Sequence, residues 1–411
     1  MKRHHPLSLF AALPTAALAL LLTGLCLRLS APPAPRAAIA APPAPRAAIA
    51  APAAAVVPRL PAPTGPYPVG RADLRLVDRQ RTDPWTRRGP RELMISVWYP
   101  AGDTTGRPRA PWMPPAVAHG FAGNASRILG LPAGRVDWSA VTTHAAVGAP
   151  AAEPARRRPV ILYSPGLGTS RSWGTALVEE LAGRGYVVVT MDHTYEALGV
   201  DLGHGRVARP MTAHAGTADG LARRMRVRTA DTRFVLDALA RPGTRRALPA
   251  GLGAQLDLDR IGMFGHSAGG ITAAETMALD ERIDAGLDLD GFNVTPERRS
   301  WPELDRLVRT GLDRPFLMVG SGAAPAGALP GRLLDSSPAS VTVRRLAGTA
   351  HYSFTDFQSL LPQLRHRADL PGRRTARLIG TGAPEAVVRS ERAIVTGFFG
   401  RHLRGPHRPG D

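Results

Sequence analysis

The feature that most constrains the fold is a series of short, nearly continuous apolar runs separated by segments with helical periodicity. The runs are LMISVWY at 93–99, VILY at 160–163, YVVVTM at 186–191, IGMF at 261–264, AGLDL at 285–289, FLMV at 316–319 and VTVRRL at 341–346. Runs that are apolar on both faces are typical of a parallel sheet with helices on both sides. The intervening helices are predicted at 173–182, 221–240, 268–279 and 384–402. The sequence therefore predicts one α/β domain with a doubly wound, mostly parallel sheet.

The first 40 residues resemble an export signal. Lys2 and Arg3 precede an apolar stretch at residues 7–27, and Ala-x-Ala patterns follow at 38–40 and 48–50. We expect a cleaved signal peptide over 1–40 and a secreted or extracytoplasmic protein. The alternative is an uncleaved membrane anchor, because the apolar stretch is nearly long enough to span a bilayer. The only cysteine, Cys26, lies in this segment, so the mature chain would have no thiol for a disulfide or a zinc site.

Two composition changes set the predicted domain boundaries. The decapeptide APPAPRAAIA occurs at 31–40 and again at 41–50, and such proline-alanine segments favour extended, solvated chain. We therefore assign 41–70 to a linker, 71–405 to the domain and 406–411 to a tail.

Residues 105–158 form a long insertion with Trp112, Phe121 and Trp138. Insertions of this length are usually functional or disordered, and the aromatic residues favour a lid or pocket wall.

The chain is strongly basic, with a formal net charge of +19. Loss of residues 1–40 removes four basic residues and no acidic one, which leaves +15. This charge is consistent with binding to an anionic membrane or cell-wall surface. The alternative is an arginine-rich composition without a partner. The arginines are scattered and are not interleaved with aromatic residues, so no nucleic-acid partner is predicted.

The pentapeptide GHSAG at 265–269 places Ser267 between the run at 261–264 and a predicted helix that begins at Ala268. A Gly-x-Ser-x-Gly match alone is weak evidence in a chain with 43 glycines. A strand before it and a helix after it make a sharp turn, at which flanking glycines avoid collisions with neighbouring backbone. We therefore predict that Ser267 is a catalytic nucleophile.

A serine nucleophile needs a base and an acid on other loops at the same edge of the sheet. His351 follows the last predicted strand and is the candidate base. The acid is Asp290, at the carboxyl end of AGLDLDGF, because the loop GSGAAPAGALPG after the next strand contains no acid. Asp288 lies deeper in the sheet and is interpreted as structural, and His266 as a packing residue. No metal-ligand spacing appears, so neither a metal nor another cofactor is predicted.

The oxyanion of the reaction requires two N–H donors. The N–H of Ala268 is the first, because the amino terminus of a helix favours negative charge. The N–H of Leu167 is the candidate second donor, since SPGLGT at 164–169 is a glycine-bearing loop after a strand. The same loop also fits a tight turn into the next helix. Among other histidines, His193, His204 and His214 follow an earlier strand, where they would either line the pocket or be exposed to solvent.

Six segments in order resemble the platelet-activating factor acetylhydrolase family, plasma or type II, and its bacterial relatives: YSPGLGTSRSW, YVVVTMDHTYEA, RFVLDAL, GMFGHSAGG, AGLDLDGF and GTAHYSFTDF. The resemblance covers roughly residues 91–403. It implies an α/β-hydrolase fold with an inserted lid-like segment, a Ser267, Asp290 and His351 triad, and oxyanion donors at Leu167 and Ala268. It also implies calcium-independent hydrolysis of short or oxidised acyl esters. Pro165 stands where the animal enzymes have histidine.

These observations predict an exported serine hydrolase that acts on short-acyl carboxylic esters, with phospholipid acyl esters as one class. The expected partner is a small-molecule or lipid ester. Two alternatives remain at the level of sequence. The first is a lipase or polyester hydrolase that acts on insoluble esters, with 105–158 as a lid. The second is a catalytically silent, cationic surface-binding module with this fold.

Overall fold

The computed structural model describes residues 54–211, 217–294, 301–323 and 328–404. The predicted signal peptide at 1–40, both copies of the decapeptide repeat and the tail at 406–411 lie outside the described residues, and so does His214. Within the described ranges, no helix combines the length and apolar character needed to cross a membrane.

Twelve strands and twelve helices are present in the described residues. The strands are β1 (Val69–Thr82), β2 (Pro90–Pro100), β3 (Arg109–Pro111), β4 (Thr142–Val147), β5 (Arg158–Ser164), β6 (Val187–Asp192), β7 (Val200–Asp201), β8 (Val207–Ala208), β9 (Leu256–His266), β10 (Ile283–Leu289), β11 (Phe316–Ser321) and β12 (Val341–Leu346). The helices are α1 (Pro115–Leu129), α2 (Thr175–Gly183), α3 (Ala218–Ala240), α4 (Pro242–Arg246), α5 (Leu252–Gln255), α6 (Ala268–Leu279), α7 (Gly291–Val294), α8 (Pro302–Thr310), α9 (Ala328–Ser336), α10 (Phe357–Arg367), α11 (Gly372–Ile379) and α12 (Pro384–Leu403). A 3₁₀ helix spans His351–Phe354.

Ten strands form one sheet in the order β12-β11-β10-β9-β5-β6-β2-β1-β4-β3. The block from β12 to β6 is parallel throughout, whereas β2 pairs antiparallel with both β6 and β1. All seven predicted strands are present. The predicted α/β-hydrolase architecture with a mostly parallel sheet is therefore confirmed.

Successive residues of the central strands pack on opposite faces of the sheet. On β5, Val160 and Leu162 belong to the core under α3, α6 and α8, while Ile161 and Tyr163 belong to the core under α2 and α12. All four are essentially inaccessible to solvent. Because both faces are covered, the runs read as continuously apolar in the sequence.

The insertion at 105–158 is an ordered part of the domain. It contributes β3 and β4 to the end of the sheet and α1 to a separate core. Trp112, Phe121 and Trp138 pack on one another with ring centroids 5.2–5.9 Å apart. The indole N–H of Trp112 donates to the Asp356 carboxylate at 2.7 Å, which joins the insertion to the start of α10.

The assignment of residues 41–70 to a linker is wrong for 54–70. Val56 and Leu60 are buried in the core formed with the insertion, and Val56 pairs with Val136 in an isolated bridge. Thr64 donates through its N–H and its hydroxyl to Glu180 on α2. The proline-rich composition of this segment predicts extended, solvated chain, but a few of its side chains are buried against the domain. The described domain therefore begins before residue 71.

Candidate active site

Ser267 occupies the turn between β9 and α6 in a strained backbone conformation, with φ 58° and ψ −125°. The glycines around it have no room for a side chain. A Cβ on Gly269 would lie 1.9 Å from the carbonyl oxygen of Ser164, and one on Gly265 would lie 2.2 Å from the carbonyl carbon of Gly269. The turn is therefore built by direct backbone contact between the start of α6 and the end of β5, as the steric argument from the sequence requires.

Ser267, His351 and Asp290 form one chain of hydrogen bonds. The Ser267 Oγ lies 3.1 Å from His351 Nε2, and His351 Nδ1 lies 2.9 Å from Asp290 Oδ2. Asp290 is fully buried, whereas 29% of the His351 side chain is exposed. The three residues follow β9, β12 and β10, so the edge at the carboxyl ends of the strands brings them together.

The second oxygen of Asp290 is held by the neighbouring strand. Asp290 Oδ1 accepts the backbone N–H of Ser321, at the end of β11, at 2.7 Å. Asp290 has φ 60°, an uncommon value for a residue other than glycine. This conformation turns the carboxylate out of β10 toward His351, and the bond from β11 fixes it there.

Asp288 does not face the histidine. Its carboxylate accepts the N–H groups of Gly291 and Phe292 at 2.8 and 3.1 Å. Burial, together with the charge of Asp290, raises the pKa of Asp288 well above its ordinary value. A Cβ on Gly270 would lie 1.7 Å from Asp288 Oδ1, so the carboxyl also packs against α6. Its contacts are those of a structural residue.

The loop after β5 runs alongside Ser267. A Cβ on Gly166 would lie 3.4 Å from the Ser267 Cβ, and 38% of Leu167 is exposed. Gly168 has φ 70°, in the left-handed region. Among the described residues, neither the N–H of Leu167 nor that of Ala268 has a hydrogen-bond partner. These two donors are thus available to an oxygen atom beside Ser267.

His266 has contacts beyond those of the packing residue that the sequence predicts. Its Nε2 lies 2.9 Å from the carbonyl oxygen of His351, and the two rings are 4.6 Å apart. Burial, and then the charge of His351, lowers the pKa of His266 well below its ordinary value, so the ring is neutral at neutral pH. We infer that Nε2 carries the proton and that His266 holds the main chain of His351 in place. Its position next to the serine was the only sequence signal.

A cluster of packed aromatic side chains connects the site with the insertion. The Tyr352 ring lies 5.4 Å from the His351 ring and 6.0 Å from that of Trp173. Trp173 packs in turn on Phe121 of the insertion at 5.8 Å. The insertion therefore packs, through Trp173, against the Tyr352 ring that lies beside His351.

Of the three histidines that were predicted either to line the pocket or to be exposed, His193 and His204 lie within the described residues. His204 is exposed, but His193 is only 2% exposed and its Nε2 lies 3.0 Å from the hydroxyl of Ser164, behind the loop. His193 therefore neither lines the pocket nor faces solvent. Within the described ranges, no group of three or more His, Cys, Asp or Glu side chains has an arrangement that could hold a metal ion.

The chain is similar in sequence to one protein family and to several known proteins. The model of the family described as platelet-activating factor acetylhydrolase, isoform II, matches residues 53–199. A probable 1-alkyl-2-acetylglycerophosphocholine esterase of Arthroderma benhamiae is 30% identical over 56% of this chain and 58% of its own length. A platelet-activating factor acetylhydrolase of Gallus gallus is 24% identical over 73% of this chain and 74% of its own. The chain thus spans a little over half of the Arthroderma relative.

A solved structure is similar to most of this chain. A ferulic acid esterase from Streptomyces cinnamoneus is 32% identical, with a TM-score of 0.65, and the match covers 86% of this chain and 95% of that one. The fold defines the class of the protein, which is that of the α/β hydrolases, and these relatives are named as esterases and acetylhydrolases. Within this class, the chain is similar to the platelet-activating factor acetylhydrolase, isoform II, family over residues 53–199.

The contact between α6 and β5 can be tested with Gly269→Ala. The added Cβ would meet the backbone of Ser164 at 1.9 Å, and overpacking of this kind typically lowers the free energy of unfolding by about 1–3 kcal/mol. We expect a loss at the upper end of this range or beyond, measured by urea denaturation, because backbone cannot move aside as a side chain can. The control is Gly397→Ala on α12, where nothing lies within 4 Å. Equal stability of the two variants would contradict the proposed tight contact.

Proposed function

We propose that the chain is an exported serine hydrolase that cleaves short-acyl carboxylic esters through an acyl-enzyme intermediate. The observation that carries the proposal is the hydrogen-bonded chain from Ser267 through His351 to the buried carboxylate of Asp290. A hydroxyl, an imidazole and a buried carboxylate in this order are what nucleophilic attack on an ester requires. The unpartnered N–H groups beside the serine add the oxyanion donors that such a reaction needs.

The proposed reaction has two halves. In the first, the Ser267 Oγ attacks the ester carbonyl while His351 Nε2 takes the hydroxyl proton, and Asp290 stabilises the charged imidazole through Nδ1–H. The N–H groups of Leu167 and Ala268 donate to the oxyanion, and His351 then gives its proton to the departing alcohol. In the second half, water attacks the acyl-enzyme with His351 as base, and Ser267 is restored.

Two classes of acyl group have support. The names of the Arthroderma and Gallus relatives favour an acetyl or another short acyl group on a glycerophospholipid. The Tyr352 ring, partly exposed beside His351, favours a second candidate, an aromatic acyl group such as that of a ferulate ester, because flat rings pack well on one another. The name of the Streptomyces cinnamoneus enzyme points in the same direction.

Export belongs to the same proposal. It rests on the basic start, the apolar stretch and the Ala-x-Ala patterns of residues 1–50. The formal net charge of about +15 that remains after cleavage near Ala40 would favour contact with an anionic surface.

A substrate panel tests the function. We expect the purified protein to hydrolyse p-nitrophenyl butyrate, and Ser267→Ala to lose at least about a thousandfold in kcat/KM, because the nucleophile is gone. The panel adds a phospholipid with a short sn-2 acyl chain, methyl ferulate and a polyester film. A preference for the first or the second supports the corresponding acyl class. Exclusive activity on the film would favour the polyester hydrolase, and parent-like activity of Ser267→Ala would overturn the proposed mechanism.

The assignment of the acid is tested by a matched pair of variants two positions apart. Asp290→Asn should lower kcat by about 10⁴-fold, since an amide neither stabilises the imidazolium nor selects the correct tautomer of His351. Asp288→Asn should keep kcat within about threefold, because this carboxyl contacts backbone N–H groups and not the histidine. Steady-state rates on p-nitrophenyl butyrate measure both. The reverse ranking of the two variants would assign the acid to Asp288.

A further inference from the structure

The loop that carries Leu167 is held from behind by one buried side chain. Arg228, on α3, is inaccessible to solvent. Its guanidinium donates to the carbonyl oxygens of Pro165 and Gly166 at 2.6 and 3.0 Å, and lies 3.3 Å from the Ser164 hydroxyl. Three consecutive residues of the loop therefore contact one rigid, planar group.

The charge of Arg228 is neutralised by a dedicated partner. Glu196, which is 4% exposed, accepts hydrogen bonds from Nε and Nη2 of Arg228. Burial opposes ionisation of Glu196, but the charge and hydrogen bonds of Arg228 outweigh burial and lower the pKa of the carboxyl. The pair is therefore ionised. The guanidinium N–H groups that face the loop consequently have a fixed direction.

The geometry of the peptide unit connects this contact with the oxyanion site. The Gly166–Leu167 peptide bond is trans, so the carbonyl of Gly166 and the N–H of Leu167 point in opposite directions. Arg228 holds the carbonyl on the side of α3. The Thr169 hydroxyl donates to the same oxygen at 2.9 Å. With the carbonyl held on that side, the N–H of Leu167 is directed away from α3, and Gly166 itself lies beside Ser267, since a Cβ on Gly166 would be 3.4 Å from the Ser267 Cβ.

We propose that Arg228 is a positioning residue for the oxyanion site, which it keeps in its active geometry by holding the carbonyl of Gly166. The proposal rests on the proposed serine hydrolase function. Arg228 does not touch the reacting atoms, and it acts through the Gly166–Leu167 peptide. Without it, the peptide could rotate and turn its carbonyl oxygen toward the developing negative charge.

A second buried chain anchors the base of the same loop. The Ser164 hydroxyl bonds to His193, His193 Nδ1 lies 3.1 Å from Asp231, and Asp231 forms an ion pair with Arg91 at 2.7 Å. These groups have the residue types of a triad, but Ser164 is fully buried and cannot meet a substrate. The chain fixes the point at which the loop leaves β5, and Arg228 then fixes the peptide two residues further on.

The test compares Arg228→Lys with Arg71→Lys. Arg71 is also buried, pairs with a carboxylate, Asp73, and donates to a proline carbonyl, that of Pro111, but it lies on β1 away from Ser267. Both variants keep the positive charge of the side chain and lose the planar set of guanidinium N–H donors. We expect kcat on p-nitrophenyl butyrate to fall about 10²-fold in Arg228→Lys, as on loss of one oxyanion donor, with KM within about threefold. Arg71→Lys should keep both constants within about threefold at a similar loss of stability.

A transition-state analogue separates positioning from general damage. A trifluoromethyl ketone forms an oxyanion on the serine, so its inhibition constant should rise in Arg228→Lys by about the factor by which kcat/KM falls. Retention of kcat within threefold of the Arg71→Lys value, or an unchanged inhibition constant, would overturn the proposal. If the parent protein hydrolyses no ester, the proposed function fails instead, so the two failures are distinguishable.

A second variant covers the case in which Arg228→Lys does not fold. Arg228→Met combined with Glu196→Leu removes both charges together, and such a replacement of a buried ion pair is often neutral for stability. The double variant should be folded by circular dichroism and should show the same loss of kcat with little change of KM. A folded double variant with the kcat of the parent would overturn the role of Arg228.

Discussion

The contact between Gly269 and the carbonyl of Ser164 is the constraint on which the site depends. The two backbones are so close that no side chain fits at position 269. Their approach brings the amino terminus of α6 against the loop after β5, and among the described residues the N–H groups of Ala268 and Leu167 have no hydrogen-bond partner. The strain at φ 58° on the serine is sustained by this packing, in keeping with the way strained residues persist at functional sites.

Charged groups buried behind the loop stabilise the arrangement further. Arg228 with Glu196, and Arg91 with Asp231, are ion pairs in a region that water does not reach. Buried pairs add little to stability in general, because both charges lose their hydration. Their donors do have fixed directions, which is a property that a preorganised oxyanion site needs. Arg228 contacts the loop at 164–166 directly, and Asp231 contacts it through His193. The location of both pairs is therefore better explained by geometry than by stability.

Much of this architecture could be predicted from local patterns. Apolar runs marked seven of the ten strands in the large sheet of the described residues, and β1, β3 and β4 were not predicted. The glycines around Ser267 reported a real steric requirement. Asp290 could be chosen over Asp288 because one lies at the end of β10 and the other lies within it, and the two have different hydrogen-bond partners in the structure. The catalytic roles themselves remain predictions, now supported by the distances among Ser267, His351 and Asp290.

The remaining features depend on pairings between distant parts of the chain. Residues 54–70 look like a linker because proline and alanine dominate. The core that buries Val56 is formed only in the folded chain, by the insertion together with α10 and α11. Arg228 resembles any other arginine on a charged helix, since its carbonyl partners lie 62 and 63 residues away. Periodicity identifies which face of a helix is apolar, but it cannot identify which buried carbonyl an arginine will meet.

The most direct test of the whole account is a crystal structure of the protein treated with a short-chain alkyl fluorophosphonate. We expect a phosphonyl group on the Ser267 Oγ, with its free oxygen about 2.7–3.1 Å from the backbone nitrogens of both Leu167 and Ala268. Modification of a different residue would contradict the proposed nucleophile. An adduct on Ser267 whose oxygen contacts neither nitrogen would contradict the proposed oxyanion site.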